Sequence, residues 1–99
     1  MKKILRKYGK RTKAEHCFLC GKNRNLEEHH IFGGANRKHS EYYGFVVDLC
    51  GIGCHRLGKN AVHKDAELSL YLKKIYQKKF EKEEGTRADF IKIFGKNYL

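Results

Sequence analysis

Four cysteines in two close pairs set the first limit on what this chain of 99 residues can become: Cys17 and Cys20 frame "CFLC", and Cys50 and Cys54 frame "CGIGC". A chain this short buries a smaller fraction of its surface than a large one, so its core is a thin source of stability and a staple is expected. Two disulfides or one metal site would serve. The spacing favours metal, because two short cysteine pairs brought together from distant parts of a chain read as a tetrahedral zinc site with four thiolate ligands. The start "MKKILRKYGK" leads into more basic residues and not into an apolar run of about seven, so no secretory signal is expected. In the reducing cytoplasm that this implies, thiolates hold metal and disulfides are rare. No segment approaches transmembrane length, and no membrane partner is expected.

The formal net charge is +11. A balance of this size points to a polyanionic partner, nucleic acid above all; a basic surface kept for solubility, or attachment to ribosomes or membrane surfaces, is the competing use. Residues 1–14 carry seven Lys or Arg and no acid, and read as a mobile basic arm that gains order on binding and adds affinity with little specificity. Residues 15–99 read as one domain. Its first part, 15–63, holds all six histidines and all four cysteines, and its second, 64–99, reads as two packing helices.

Within 15–63, "HCFLCGKNRN" looks like a knuckle ending at Gly21, a residue that can take the positive φ needed to turn backbone amides toward sulfur. "NLEEHHIF" and "GFVVDLC" read as strands, the second from its β-prone Phe45, Val46, Val47 and Leu49. The glycine-bounded "GGANRKHSEYYG" between them reads as a long connection, with Arg37 and Lys38 as phosphate contacts or as a solvated tip. "CHRL" can start a brief helix that Gly58 stops. From Asp65, apolar residues at Leu68, Leu72, Ile75, Tyr76 and Phe80 form a helical stripe that Asp65 N-caps and Gly85 ends. Thr86 with Asp89 resembles a capping box for a last helix closed by Gly95. The lysines of these helices read as a solvated face more readily than a DNA-facing one.

The stretch "EEHHI" places two imidazoles side by side. On a strand, neighbouring side chains point to opposite faces, so His29 and His30 are expected to do different jobs. The expected zinc ties the region before them to "LCGIGCH", which brings His55 near the same strand, so three imidazoles are expected to converge. Imidazole is both a ligand for divalent metals and a general base near neutral pH, and phosphodiester hydrolysis needs a base for water and a cation for the developing charge. His16 and His39 read as surface residues, His16 also as an alternative zinc ligand; Glu27 and Glu28 read as strand polar residues without catalysis.

The order C-x2-C, EEHHI, DLC-x3-CH and a final H over residues 17–63 resembles the cysteine-bearing branch of the HNH endonucleases, the ββα-metal or His-Me finger nucleases, and is similar to small phage-encoded nucleases that include RecA-dependent recombination nucleases. The resemblance implies an α+β, zinc-stapled ββα-metal domain that hydrolyses DNA phosphodiester bonds. It implies that His29 ligates the catalytic metal, that His30 is the general base, and that His55 ligates the same metal, with His63 a third ligand or a phosphate contact. The catalytic ion would be Mg2+ or Mn2+ first, with Zn2+ or Ni2+ as alternatives, beside the structural Zn2+ on the four cysteines. The family's middle Asn has no clear counterpart, and Asp48 or Asn36 is the candidate to orient the base. DNA, a recombination or packaging protein, and the host bacterial cytoplasm are the partners and place implied for a phage-encoded chain. The rival class is a non-catalytic zinc-stapled module that binds nucleic acid, and a ribosome-associated zinc protein is a third. A two-cysteine, two-histidine finger fits poorly, because Cys20 to His29 is too short and no histidine pair follows at the expected spacing.

Overall fold

The structure, a computed structural model, describes residues 6–9, 14–23, 25–51, 55, 62 and 65–99. In chain order its elements are strand β1 (Leu26–His30), helix α1 (Arg37–Tyr43), strand β2 (Val46–Cys50), helix α2 (Ala66–Glu83) and helix α3 (Arg87–Phe94); a 3-10 turn at Gly34–Asn36 leads into α1. This is a small α+β architecture. The strands lie where the β-prone runs put them and pair antiparallel, with Leu26 opposite Cys50, His29 opposite Val47 and His30 opposite Val46. Of the expected "CHRL" helix only His55 is among the described residues. No helix among the described residues is long and apolar enough to cross a membrane.

The connection between the strands departs from the sequence expectation of a long loop, because part of it is helix α1. Ser40 is the one buried residue of α1, so no apolar stripe announces a helix there. Hydrogen bonds hold it instead. The Phe32 amide donates to the Ser40 hydroxyl at 3.0 Å, and that hydroxyl donates to the Phe32 carbonyl at 2.7 Å. Gly44 then closes the helix in the left-handed region at φ 74°, a conformation that costs glycine little. The chain re-enters the sheet through Phe45, whose amide donates to the Ser40 carbonyl at 2.8 Å and whose carbonyl accepts the Ile31 amide at 3.0 Å.

Helices α2 and α3 follow the sequence more closely. The Asp65 carboxylate accepts the amides of Glu67 and Leu68, satisfying donors that the first turn leaves without intrahelical partners. Thr86 and Asp89 form a reciprocal capping box, with side-chain to backbone distances of 3.1 and 2.9 Å, and Gly95 ends α3 at φ 84°. The amides of Glu84 and Gly85 both return to the Phe80 carbonyl, which ends α2 where the glycine was expected to end it.

Of the expected α2 stripe, Leu72 and Phe80 are buried in the core, Leu68 and Tyr76 pack against it, and Ile75 stays outside it. Phe32, Phe45, Phe80, Phe90 and Phe94 are all buried, and Phe94 stands 4.6 Å, ring to ring, from both Phe32 and Phe90. Burying each phenyl group contributes about 1.5–3 kcal/mol, so this aromatic cluster is the main apolar term holding the helices to the sheet. Buried Gln77 is satisfied by the C-terminal segment: its amide nitrogen donates to Asn97 at 2.8 Å and its carbonyl accepts the Tyr98 amide at 2.8 Å.

Residues 6–9 of the basic segment, which its charge led us to expect as mobile, are seated. The Lys7 amide donates to the Tyr42 carbonyl at 2.7 Å, Arg6 pairs with Glu41, and the Lys7 ammonium and Tyr8 hydroxyl share the Glu84 carboxylate. Each cation here meets a carboxylate presented by α1 or by the end of α2.

Candidate functional site

Three of the four candidate zinc cysteines come together. The Sγ atoms of Cys17, Cys20 and Cys50 lie within 4.8 Å of one another, and this is the only group of three or more metal-ligating side chains so placed among the described residues. Gly21 takes φ 77° as expected, its amide donates to the Cys17 carbonyl at 2.9 Å, and the Cys20 amide points at the Cys17 sulfur at 3.5 Å. The Phe18 amide donates to the Asp48 carbonyl at 2.8 Å, fixing the knuckle on β2 beside Cys50. Cys20 and Cys50 sulfurs are 3.6 Å apart. A disulfide needs about 2.05 Å, whereas thiolates at about 2.3 Å from a tetrahedral metal stand roughly 3.8 Å apart. Burial pushes the Cys17 thiol up, but amides of Cys20, Cys50 and Leu19 directed at its sulfur outweigh burial and leave it below its usual value, toward the thiolate a metal takes. These residues can hold a metal ion. Cys54, the expected fourth ligand, lies outside the described residues, as does His63. His16 is exposed.

The strand register sorts the remaining candidates onto two faces. Opposed residues of an antiparallel pair share a face, so Glu27 and His29 lie with Leu49 and Val47, while Glu28 and His30 lie with Asp48 and Val46. The adjacent histidines therefore diverge, as the alternation requires.

On the first face His29 is buried and meets His55, with ring centroids 5.2 Å apart at 71°. His55 Nδ1 lies 3.0 Å from Glu27 Oε1. A carboxylate can only accept, so the proton sits on Nδ1 and the lone pair on Nε2. That is the arrangement of a metal-binding imidazole oriented by a carboxylate. The backbone at Gly51 passes so close that a Cβ there would fall 2.6 Å from Glu27 Oε1; glycine at this position makes room for the carboxylate. Glu27, read from sequence as an ordinary strand residue, is thus the partner of a candidate ligand. Its signal was the period of two: Glu27 and His29 had to share a face.

On the second face the structure gives His30 a partner of its own. Its Nε2 is 2.6 Å from Glu41 Oε1, and the other carboxylate oxygen of Glu41 accepts from Arg6 Nε at 3.1 Å and Nη2 at 3.0 Å. Burial pushes the Glu41 carboxyl up, but the hydrogen bond and charge of His30 together with Arg6 hold it below the ordinary carboxylate range. His30 and Glu41 side chains are only 8% and 12% exposed. The three imidazoles expected to converge thus divide into His29 with His55 and His30 with Glu41.

The residues expected to orient the base have other bonds. Asn36 donates to the Phe94 carbonyl at 2.8 Å, tying the turn to α3, and buried Asp48 accepts the Ala14 amide at 2.7 Å. Arg37 and Lys38 are exposed on the first turn of α1 and pair with no acid among the described residues. His39, expected at the surface, is half-buried against the Phe94 ring at 5.7 Å, and burial followed by the neighbouring Lys38 charge lowers its pKa. Glu41 was missed because "RKHSEYY" carries no helical pattern that would carry its side chain back over His30. Comparison with known proteins finds no matching family model, no matching curated protein and no matching solved structure.

Proposed function

We propose that this chain is a metal-dependent DNA endonuclease of the HNH kind, stapled by a structural Zn2+ on Cys17, Cys20, Cys50 and Cys54. The observation that carries the reading is the division of labour around β1: His29 meets His55 with Glu27 on its far nitrogen, while His30 holds a separate carboxylate. His29 and His55 would hold a divalent cation, Mg2+ or Mn2+ first, which supplies stabilisation of charge on the scissile phosphate and the departing 3′ oxygen. His63 remains the proposed third ligand or phosphate contact.

His30, with Nε2–H donated to Glu41, keeps its lone pair on Nδ1, and in its neutral form accepts the proton of the attacking water there. Glu41 stabilises the imidazolium that results. The sheet has two strands, so β1 has an outer edge that no third strand covers among the described residues. We place the phosphodiester along that edge, with His29 on one face of β1 and His30 on the other. Residues 1–64 hold fourteen Lys or Arg against five Asp or Glu, which concentrates the charge that draws DNA in the half bearing the histidines. Arg37 and Lys38 are the proposed exposed phosphate contacts. Action in phage DNA processing or recombination inside a host cytoplasm is the setting we propose for this chemistry.

His30→Ala is expected to abolish nicking of supercoiled plasmid in Mg2+ or Mn2+ with DNA binding and zinc content unchanged; retained nicking sinks the assignment. One observation favours a second reading, a non-catalytic zinc module that binds nucleic acid. His30 is 8% exposed in its side chain and lies under the Arg6–Glu41 pair, a placement that also suits a structural histidine.

A further inference from the structure

On the His30 side of the sheet, a cleft of about 530 Å³ opens between the basic segment, α1 and α2, and its lining includes Arg6, Tyr8, Tyr42, Tyr43, Val46 and Lys79. Its charges are already spent on each other. Arg6 pairs with Glu41, and Lys79 lies 3.9 Å from Glu83, so the four charged residues of the lining sum to zero. A phosphate gains little in such a place. A flat, neutral ring gains more, because Tyr8 is 64% exposed and Tyr42 37% exposed at the cleft, with Tyr42 and Tyr43 rings set perpendicular 4.8 Å apart. The Tyr8 side chain is also held: its hydroxyl bonds the Glu84 carboxylate that also takes the Lys7 ammonium. An exposed aromatic ring fixed in advance loses little entropy when another ring stacks on it.

Tyr8 and Gly9, both at the cleft, belong to the segment 1–14 with its seven cations and no acid. In the sequence Tyr8 is followed within five residues by Lys10, Arg11 and Lys13, so the chain supplies cations for the phosphates of a strand whose base enters the cleft. We infer that this cleft takes an unpaired nucleobase from a single-stranded stretch of DNA, with Tyr8 and Tyr42 as stacking surfaces and the chain's excess of Lys and Arg drawing the phosphates. Paired bases are stacked inside a duplex and reach such a cleft only at the cost of unstacking, so single-stranded DNA is preferred. The inference rests on the nucleic-acid reading of the chain and not on cleavage.

The test is fluorescence anisotropy with labelled oligo(dT) and with a fully paired hairpin duplex, on the zinc-loaded full chain without added divalent metal. Wild type is expected to bind oligo(dT) more tightly than the hairpin. Tyr8→Ala and Tyr42→Ala are expected to weaken oligo(dT) binding about tenfold each and to leave hairpin binding unchanged, while Tyr8→Phe, which keeps the ring and loses the hydroxyl, stays within about threefold of wild type. An abasic oligonucleotide, with phosphates and no bases, is expected to bind no better to wild type than to Tyr8→Ala. Equal losses on oligo(dT) and hairpin, or no loss on either, overturn the cleft assignment while leaving DNA binding intact. Binding of neither DNA by wild type overturns the nucleic-acid reading itself.

Discussion

The two halves of this molecule are held by different kinds of bond. In α2 and α3 the decisive contacts are local: a carboxylate two and three residues from the amides it caps, a box closed over three residues, and apolar side chains at helical spacing. Around the sheet they are remote. Cys20 meets Cys50, Glu27 meets His55, Ala14 meets Asp48 and Arg6 meets Glu41, each across about thirty residues of chain. The elements of the helical half follow rules of short range, while the cysteine cluster, the Glu27–His55 pair and the Arg6–Glu41 pair each require the chain to close over about thirty residues. Loop closure of that kind is entropically costly, and a metal that binds only the closed form offsets it.

That contrast predicts unequal responses. The largest effect is expected from the metal site: Cys50→Ala, or chelation of the wild-type chain, removes up to about 10 kcal/mol of apparent folding free energy, more than a domain this small can spare. The cooperative thermal transition followed by circular dichroism should then disappear, and survival of a sharp transition without metal would break the comparison. Truncation in the helical half should do less. Phe94→Ala empties a site surrounded by Phe32, Phe45 and Phe90 and should cost about 3–5 kcal/mol. Its melting temperature should fall while metal content by elemental analysis stays at the wild-type value; loss of metal would mean that the core, and not the thiolates, shapes the knuckle.

The smallest effect belongs to the caps. Thr86→Ala should cost about 1 kcal/mol and leave function alone. The backbone amide of Thr86, and then its hydroxyl, hold the Asp89 carboxyl below its usual range. A folded value below the unfolded one means that this contribution is complete above the ordinary carboxylate range and fades as pH falls through the folded value. Thr86→Ala should therefore narrow its gap to wild type in melts taken at successively lower pH. The Thr86 amide survives this substitution, so a gap that stays constant through the carboxylate range would show that the Thr86 hydroxyl does nothing for the charge of Asp89.

The same contrast explains what the sequence discloses. Helices α2 and α3, their caps, both strands and the Gly21 turn are readable because each depends on residues within a few positions of one another. The opposite orientation of His29 and His30 is readable for the same reason, since a strand alternates whatever surrounds it. Helix α1 is not, because its one buried residue is Ser40 and its support is a pair of hydrogen bonds to Phe32. With α1 hidden, Glu41 had no visible route to His30. The seat of Lys7 and Tyr8 depends on Glu84, more than seventy residues away, and basic composition alone reads as a free arm.

The account turns on the proposed second metal position at His29 and His55, separate from the cysteines. The most direct measurement is a Mn2+ titration by calorimetry on zinc-loaded protein, with zinc counted by elemental analysis, for wild type and His55→Ala. The account predicts one retained zinc in both proteins and one weaker, exchangeable Mn2+ in wild type alone. A wild-type chain that takes up zinc and nothing more at saturating Mn2+, or a His55→Ala chain that binds Mn2+ as wild type does, would contradict it.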